Sequence, residues 1–106
     1  MAHYLLVVHS EYLEGEGKEK EFNDWYGNHI DNLRKVEGVR SVQRSRLLDI
    51  PSPTREGLRY LAIYDIETDD VVAFQKSVIE AESGTPRSSA FNYETSRVGF
   101  FEVLDD

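Results

Sequence analysis

Residues Lys18 to Val36 (KEKEFNDWYGNHIDNLRKV) constrain the fold more than any other stretch of the chain. At about 100° per residue, Phe22, Trp25, Tyr26, Ile30, Leu33 and Val36 share one arc of roughly 140°, and Asn23, Asp24, Asn28, Asp31, Arg34 and Lys35 fall outside it. The spacing predicts an amphipathic helix whose aromatic stripe must be buried against a second layer. His29 falls inside the stripe, one turn after Trp25 and three residues after Tyr26. A titratable ring in that position either finds a local hydrogen-bond partner, such as a backbone carbonyl or a nearby Asp, or lines a cavity.

Around this helix the other segments fall into order. Tyr4 to Val8 is apolar at both parities, which reads as a central strand that closes at His9 and Ser10. Glu11 to Gly17 is an acidic, glycine-containing loop, and Gly38 stops the helix. Val39 to Leu48 reads as a mixed, edge-like strand, with Arg44 and Arg46 on one face and Gln43 on the other. Asp49 to Gly57, with two prolines and a glycine, reads as a loop, and Leu58 to Ile66 as a third strand. Thr68 is a suitable N-cap for a second helix in which Val71, Phe74, Val78 and Ile79 repeat up to about Glu82. Ser83 to Ala90 is polar, and Asn92 to Leu104 returns to strand composition, with Gly99 as a bulge or close-approach point.

The resulting βαββαβ order is that of a single ferredoxin-like α+β domain: a four-stranded antiparallel sheet with both helices on one face. The 106-residue length fits one domain. Two helices cover one sheet face, yet the first and last strands are apolar on both. A second copy of the sheet is the simplest cover, so a homodimer is expected, with Leu6 and Val8 among the positions taken to face the partner. The two loops, Glu11 to Gly17 and Ser83 to Ala90, are expected to be mobile edges of a cavity between helices and sheet.

Composition excludes several functions. A formal charge of −8, from 12 basic and 20 acidic residues, argues against nucleic acid or an anionic membrane as partner. The absence of cysteine removes disulfide and thiolate chemistry, and the apolar runs are too short to span a bilayer. The N-terminus lacks the pattern of a signal peptide, so a cytoplasmic location is expected. The three histidines lie far apart and no His-x-x-x-His pattern occurs, so no metal is expected. No phosphate-binding glycine loop and no Gly-x-Ser-x-Gly motif is present.

Trp25-Tyr26-x-x-His29-Ile30, followed by Leu33, Val36 and Gly38 and then by Ser41-Val42-Gln43-Arg44, resembles the dimeric α+β-barrel superfamily, in particular its EthD-like members. The plan covers the whole chain and the motif covers Phe22 to Arg46. The sequence departs from the pattern in one place: Asp31 and Asn32 stand where a proline often follows the His-apolar pair, so the helix is expected to run unbroken. The resemblance implies a fold that dimerises sheet to sheet into a barrel and a pocket between helices and sheet within each subunit. It also implies a range of activities: cofactor-free monooxygenases and cyclases of aromatic polyketide pathways, muconolactone isomerases, haem-binding enzymes and members without assigned activity.

Together with the aromatic stripe around His29, the resemblance implies a cofactor-independent enzyme acting on an aromatic or polyketide-like molecule by proton abstraction, as cyclase, isomerase or monooxygenase. His29 is the candidate base and Tyr26 its catalytic neighbour, while Phe22, Trp25, His9, Gln43 and Tyr64 are the candidate substrate contacts. Arg44 and Arg46 are candidates for pairing with acids across the dimer or for holding a substrate carboxylate or enolate. The alternatives are a non-catalytic ligand-binding or pathway-accessory protein with the same pocket, and a haem protein with His29 as axial ligand.

Overall fold

The computed structural model describes residues 2–50 and 59–105. Strand β1 (Ala2–Ser10) leads into helix α1 (Lys18–Leu33), followed by strands β2 (Val39–Arg46) and β3 (Tyr60–Thr68), helix α2 (Val71–Ser83) and strand β4 (Arg97–Glu102). The four strands form one sheet in the order β2-β3-β1-β4, every neighbouring pair antiparallel. This is the ferredoxin-like arrangement expected from the sequence. Most of the Asp49 to Gly57 loop, and Leu58 at the expected start of β3, lie outside the described residues.

The core forms where α1 meets the sheet. Phe22, Tyr26, Ile30 and Leu33 are buried against Leu6 of β1 and Tyr60, Ala62, Tyr64 and Ile66 of β3, with Phe74 and Val78 of α2 and Phe91 closing the cluster. Each of these large apolar side chains contributes about 1.5–3 kcal/mol by leaving water. Leu6 and Val8 therefore belong to the helix side, since they alternate with Leu5 and Val7 and pair with Tyr64 and Ala62, both of which are buried. The positions left on the uncovered face are Leu5, Val7, Leu61, Ile63 and Phe101, the last 55% exposed. Strand β1 is apolar on both faces, and the parity facing outward is the odd one, not that of Leu6 and Val8.

A β-bulge between Val39 and Ser41 changes the faces of β2. Val39 pairs with Ile66 and Val42 with Tyr64, so residues separated by three share the helix side, and Arg44 and Arg46 follow, opposite Ala62 and Tyr60. Arg44 is thus turned towards α1 and away from the face where a partner sheet would dock. Gly99 sits in regular pairing with Val7, without a bulge, and is a close-approach point: a Cβ there would lie 3.0 Å from the Phe101 ring.

The helix termini differ from expectation in small ways. Helix α1 ends at Leu33, and the chain then turns through Gly38 at φ 104°, where a Cβ would come within 3.0 Å of the Glu67 carbonyl oxygen. The N-cap of α2 is Asp70, whose carboxylate accepts from the Ala73 amide at 3.1 Å, while Thr68 accepts from the Asp70 amide one step earlier. Strand β4 begins at Arg97, which leaves Tyr93 in the preceding turn.

Candidate functional site

Helix α1 aims three ring systems at the gap between the helices and the sheet. Trp25 and His29, four residues apart, stack with ring centroids 4.8 Å apart and planes 13° from parallel. Tyr26 meets the same imidazole edge-on at 5.7 Å. The indole is itself fixed, because its Nε1–H donates to the Pro86 carbonyl at 2.8 Å. The imidazole is thus held by two flat neighbours, one of them anchored to the loop after α2.

These rings border a cavity of about 250 Å³ whose walls also include Leu6, Val8, Tyr64, Val78, Phe91 and Phe100. Its polar groups are His29, Glu82, Gln75, Tyr93 and Ser96, together with the Tyr26 and Tyr64 phenols. Trp25, Tyr26, His29 and Tyr64 are therefore brought together as expected. Phe22 is fully buried behind them, a packing residue among the core aromatics. His9 and Gln43 are not brought to the cavity: His9 alternates with Val8 and Ser10, Gln43 with Val42 and Arg44, and both point to the opposite sheet face. The physical reason is strand parity, which no helical motif constrains.

His29 is 9% exposed, and its Nδ1 has no hydrogen-bond partner. Its Nε2 lies 3.9 Å from Glu82 Oε2. Burial pushes the imidazole below its ordinary value, and burial likewise pushes the Glu82 carboxyl above the usual carboxylate range. Both shifts run towards the neutral form of each group. The local backbone or Asp partner that would mark a purely packed histidine is absent among the described residues.

Below the imidazole lies a second polar set. The Tyr26 phenol is raised, first by burial, and sits beside the Ser10 hydroxyl, the Tyr64 phenol and the Arg44 guanidinium. Tyr64 is raised further, again first by burial and then by its tyrosine neighbour. Ser10 Oγ is buried and lacks a hydrogen bond of normal geometry. Arg44 stacks 4.4 Å from the Tyr26 ring centroid and donates to Asn23 Oδ1 at 2.9 Å, an intrachain role in place of the expected contact across a dimer.

Glu82 was not among the residues singled out from the sequence, although a signal exists. Phe74, Val78 and Glu82 recur at i, i+4, i+8, so Glu82 lies on the same side of α2 as its buried residues, with its own side chain about half exposed at the cavity. Tyr93, Phe91 and Ser96 come from an irregular segment whose shape the sequence does not specify. The expected mobile edges prove to be tied together: Leu13 N–H donates to Ala90 O at 2.7 Å, Asn92 N–H to Glu11 O at 2.9 Å, and Tyr12 bridges Phe91. Among the described residues no group of three or more His, Cys, Asp or Glu side chains could hold a metal ion, and no helix is long and apolar enough to cross a membrane.

No family model matches this sequence, and no curated protein matches it either. The fold is nevertheless shared over the full length with solved structures. SnoaB from Streptomyces nogalater, a cofactor-independent oxygenase, superposes with a TM-score of 0.66 at 14% identity, covering 100% of this chain and 97% of that one. A dimeric ferredoxin-like protein of unknown function from Jannaschia sp. CCS1 gives 0.61 at 14% identity, over 95% and 99% of the two chains. An EthD family protein from Bacillus halodurans C-125 gives 0.52 at 15% identity, over 98% and 100%. The chain has the ferredoxin-like fold that these structures share.

Proposed function

We propose that this protein is a cofactor-independent enzyme that abstracts a proton from an aromatic or polyketide-like substrate in the helix–sheet cavity. The observation that carries the reading is His29: an imidazole held by two aromatic rings on the cavity wall, kept neutral by burial, whose Nδ1 is buried and has no hydrogen-bond partner among the described residues. A neutral imidazole accepts a proton from an activated carbon or a phenol and becomes an imidazolium, which the Glu82 carboxylate 3.9 Å away stabilises. The electron pair left on the substrate passes to its oxygen, where the buried phenols of Tyr64 and Tyr26 donate hydrogen bonds. Cyclisation, isomerisation and oxygenation by O₂ all start from such an enolate, and the likeness to a cofactor-independent oxygenase is consistent with the last.

In the same reading the protein acts as a homodimer in the cytoplasm, the partner sheet covering Leu5, Val7, Ile63 and Phe101, as the dimeric state of the Jannaschia neighbour supports. The test is a turnover assay across phenolic and enolisable aromatic compounds, with oxygen consumption followed in parallel. Turnover that falls 10²- to 10⁴-fold in His29→Ala, at unchanged melting temperature, supports general-base catalysis. Saturable binding with no turnover on any compound contradicts it and favours the accessory binding protein.

A further inference from the structure

The cavity continues outward into a depression of about 350 Å³, and Trp25, His29, Ile79, Glu82 and Tyr93 line both spaces. At the outer end stands Arg87, the one permanent cation among the described residues lining either space. Its guanidinium lies 4.0 Å from the Tyr93 ring centroid and, among the described residues, forms no ion pair.

Arg87 is exposed, yet its position is set by the loop that carries it. Pro86 O accepts from the Trp25 indole at 2.8 Å, and Thr85 Oγ1 accepts from the Asn32 amide at 3.0 Å. The Ser88 amide donates to the Tyr93 hydroxyl at 2.9 Å, and Ser89 Oγ donates to Glu21 at 2.6 Å. Contacts on both sides therefore fix the backbone at residue 87, and Tyr93 fixes the side chain. In a chain of formal charge −8, a preorganised and unpaired arginine at a cavity mouth is placed to receive an anion. Glu82 is the acid that faces the same space, and its side chain is about half exposed, so solvent screens its repulsion of such a ligand.

Volume bounds the rest of the molecule. An apolar cavity of about 150 Å³ accepts benzene, so the inner space of about 250 Å³ accepts one or two rings. We infer that the ligand is a one- or two-ring aromatic carboxylate, its rings against Trp25 and His29 and its carboxylate on Arg87. This inference rests on the cavity being the ligand site, as in the function proposed above, and names the substrate class for it.

Calorimetric titration with three probes tests the inference: 2-naphthoate, the neutral isostere 2-naphthamide and the three-ring anthracene-2-carboxylate. The native protein should bind naphthoate at least fivefold tighter than the amide. Arg87→Gln should abolish that difference without weakening the amide, and Arg87→Lys should restore part of it. Equal binding of acid and amide in both native protein and Arg87→Gln overturns the carboxylate assignment and leaves the cavity as a ligand site. Failure of both two-ring probes to bind overturns the cavity reading and the inference with it. Tighter binding of the three-ring acid than of naphthoate overturns the ring count.

Discussion

The imidazole of His29 lies flat on the indole of Trp25, 4.8 Å between centroids, and that indole is tethered to Pro86 of the loop after α2. One hydrogen bond from the indole to the loop carbonyl therefore sets the orientation of the candidate base. Trp25→Phe keeps a stacking ring but removes the Nε1–H donor. It should lower turnover about tenfold, because a loosely held base spends less time in the productive geometry, while melting temperature changes by only a few degrees. Kinetics and thermal melting of the single variant check this. Unchanged turnover would remove the tether from the account.

The depressed imidazole has a consequence for stability. Its folded value lies below the ordinary 6.5, so between the two values the unfolded chain binds the extra proton. The contribution of His29 to stability is present above about pH 6.5 and declines as pH falls through the window below it. Glu82, raised above 4.5, acts with the opposite sign over its own window. The difference between native protein and His29→Gln isolates the histidine: native stability should fall relative to the variant as pH drops from 7 to 5. Parallel denaturation curves across that range would contradict burial of a neutral ring.

Face assignment in β2 can be tested through Arg44. The guanidinium stacks on Tyr26 and bonds Asn23, so Arg44→Ala should cost about 1–2 kcal/mol in denaturant unfolding and leave the association state unchanged. Loss of dimer in that variant would return the residue to the interface.

The dimer itself is tested at Leu5 and Val7, which point away from the helices. Sedimentation at micromolar concentration should give twice the monomer mass, and Leu5→Asp should give monomer, because an unpaired carboxylate is costly to bury between sheets. Leu6→Asp should instead unfold the chain, since that position is 4% exposed within the core. A native monomer sinks the homodimer reading.

The element order was legible because each strand and helix carries its own hydrophobic period, and the α1 stripe alone located Trp25, Tyr26 and His29 at the cavity. What remained hidden depends on relations between elements. With β1 apolar at both parities, nothing local distinguishes Leu5 from Leu6, so the outward face needed the sheet register. The Val39/Ser41 bulge breaks the period of two, so the face on which Arg44 and Arg46 lie, expected either to pair across the dimer or to hold a substrate anion, follows from the register and not from the local pattern. His9 was expected at the site from its place at the end of the first strand, and Gln43 from the pattern that carries the resemblance, whereas strand parity places both on the other face. Glu82 entered only as the end of the second helix, although its i+4 relation to Val78 places it on the cavity side of α2.

The central claim, that His29 is a general base inside the cavity, is tested most directly by deuterium incorporation from D₂O into the C1 position of 2-tetralone, a two-ring carbon acid, followed by NMR. The native protein should accelerate exchange saturably above buffer. His29→Ala and His29→Gln should each lower the rate by on the order of 10²- to 10⁴-fold with melting temperatures unchanged. Exchange at the native rate in a folded His29→Ala protein would contradict the claim.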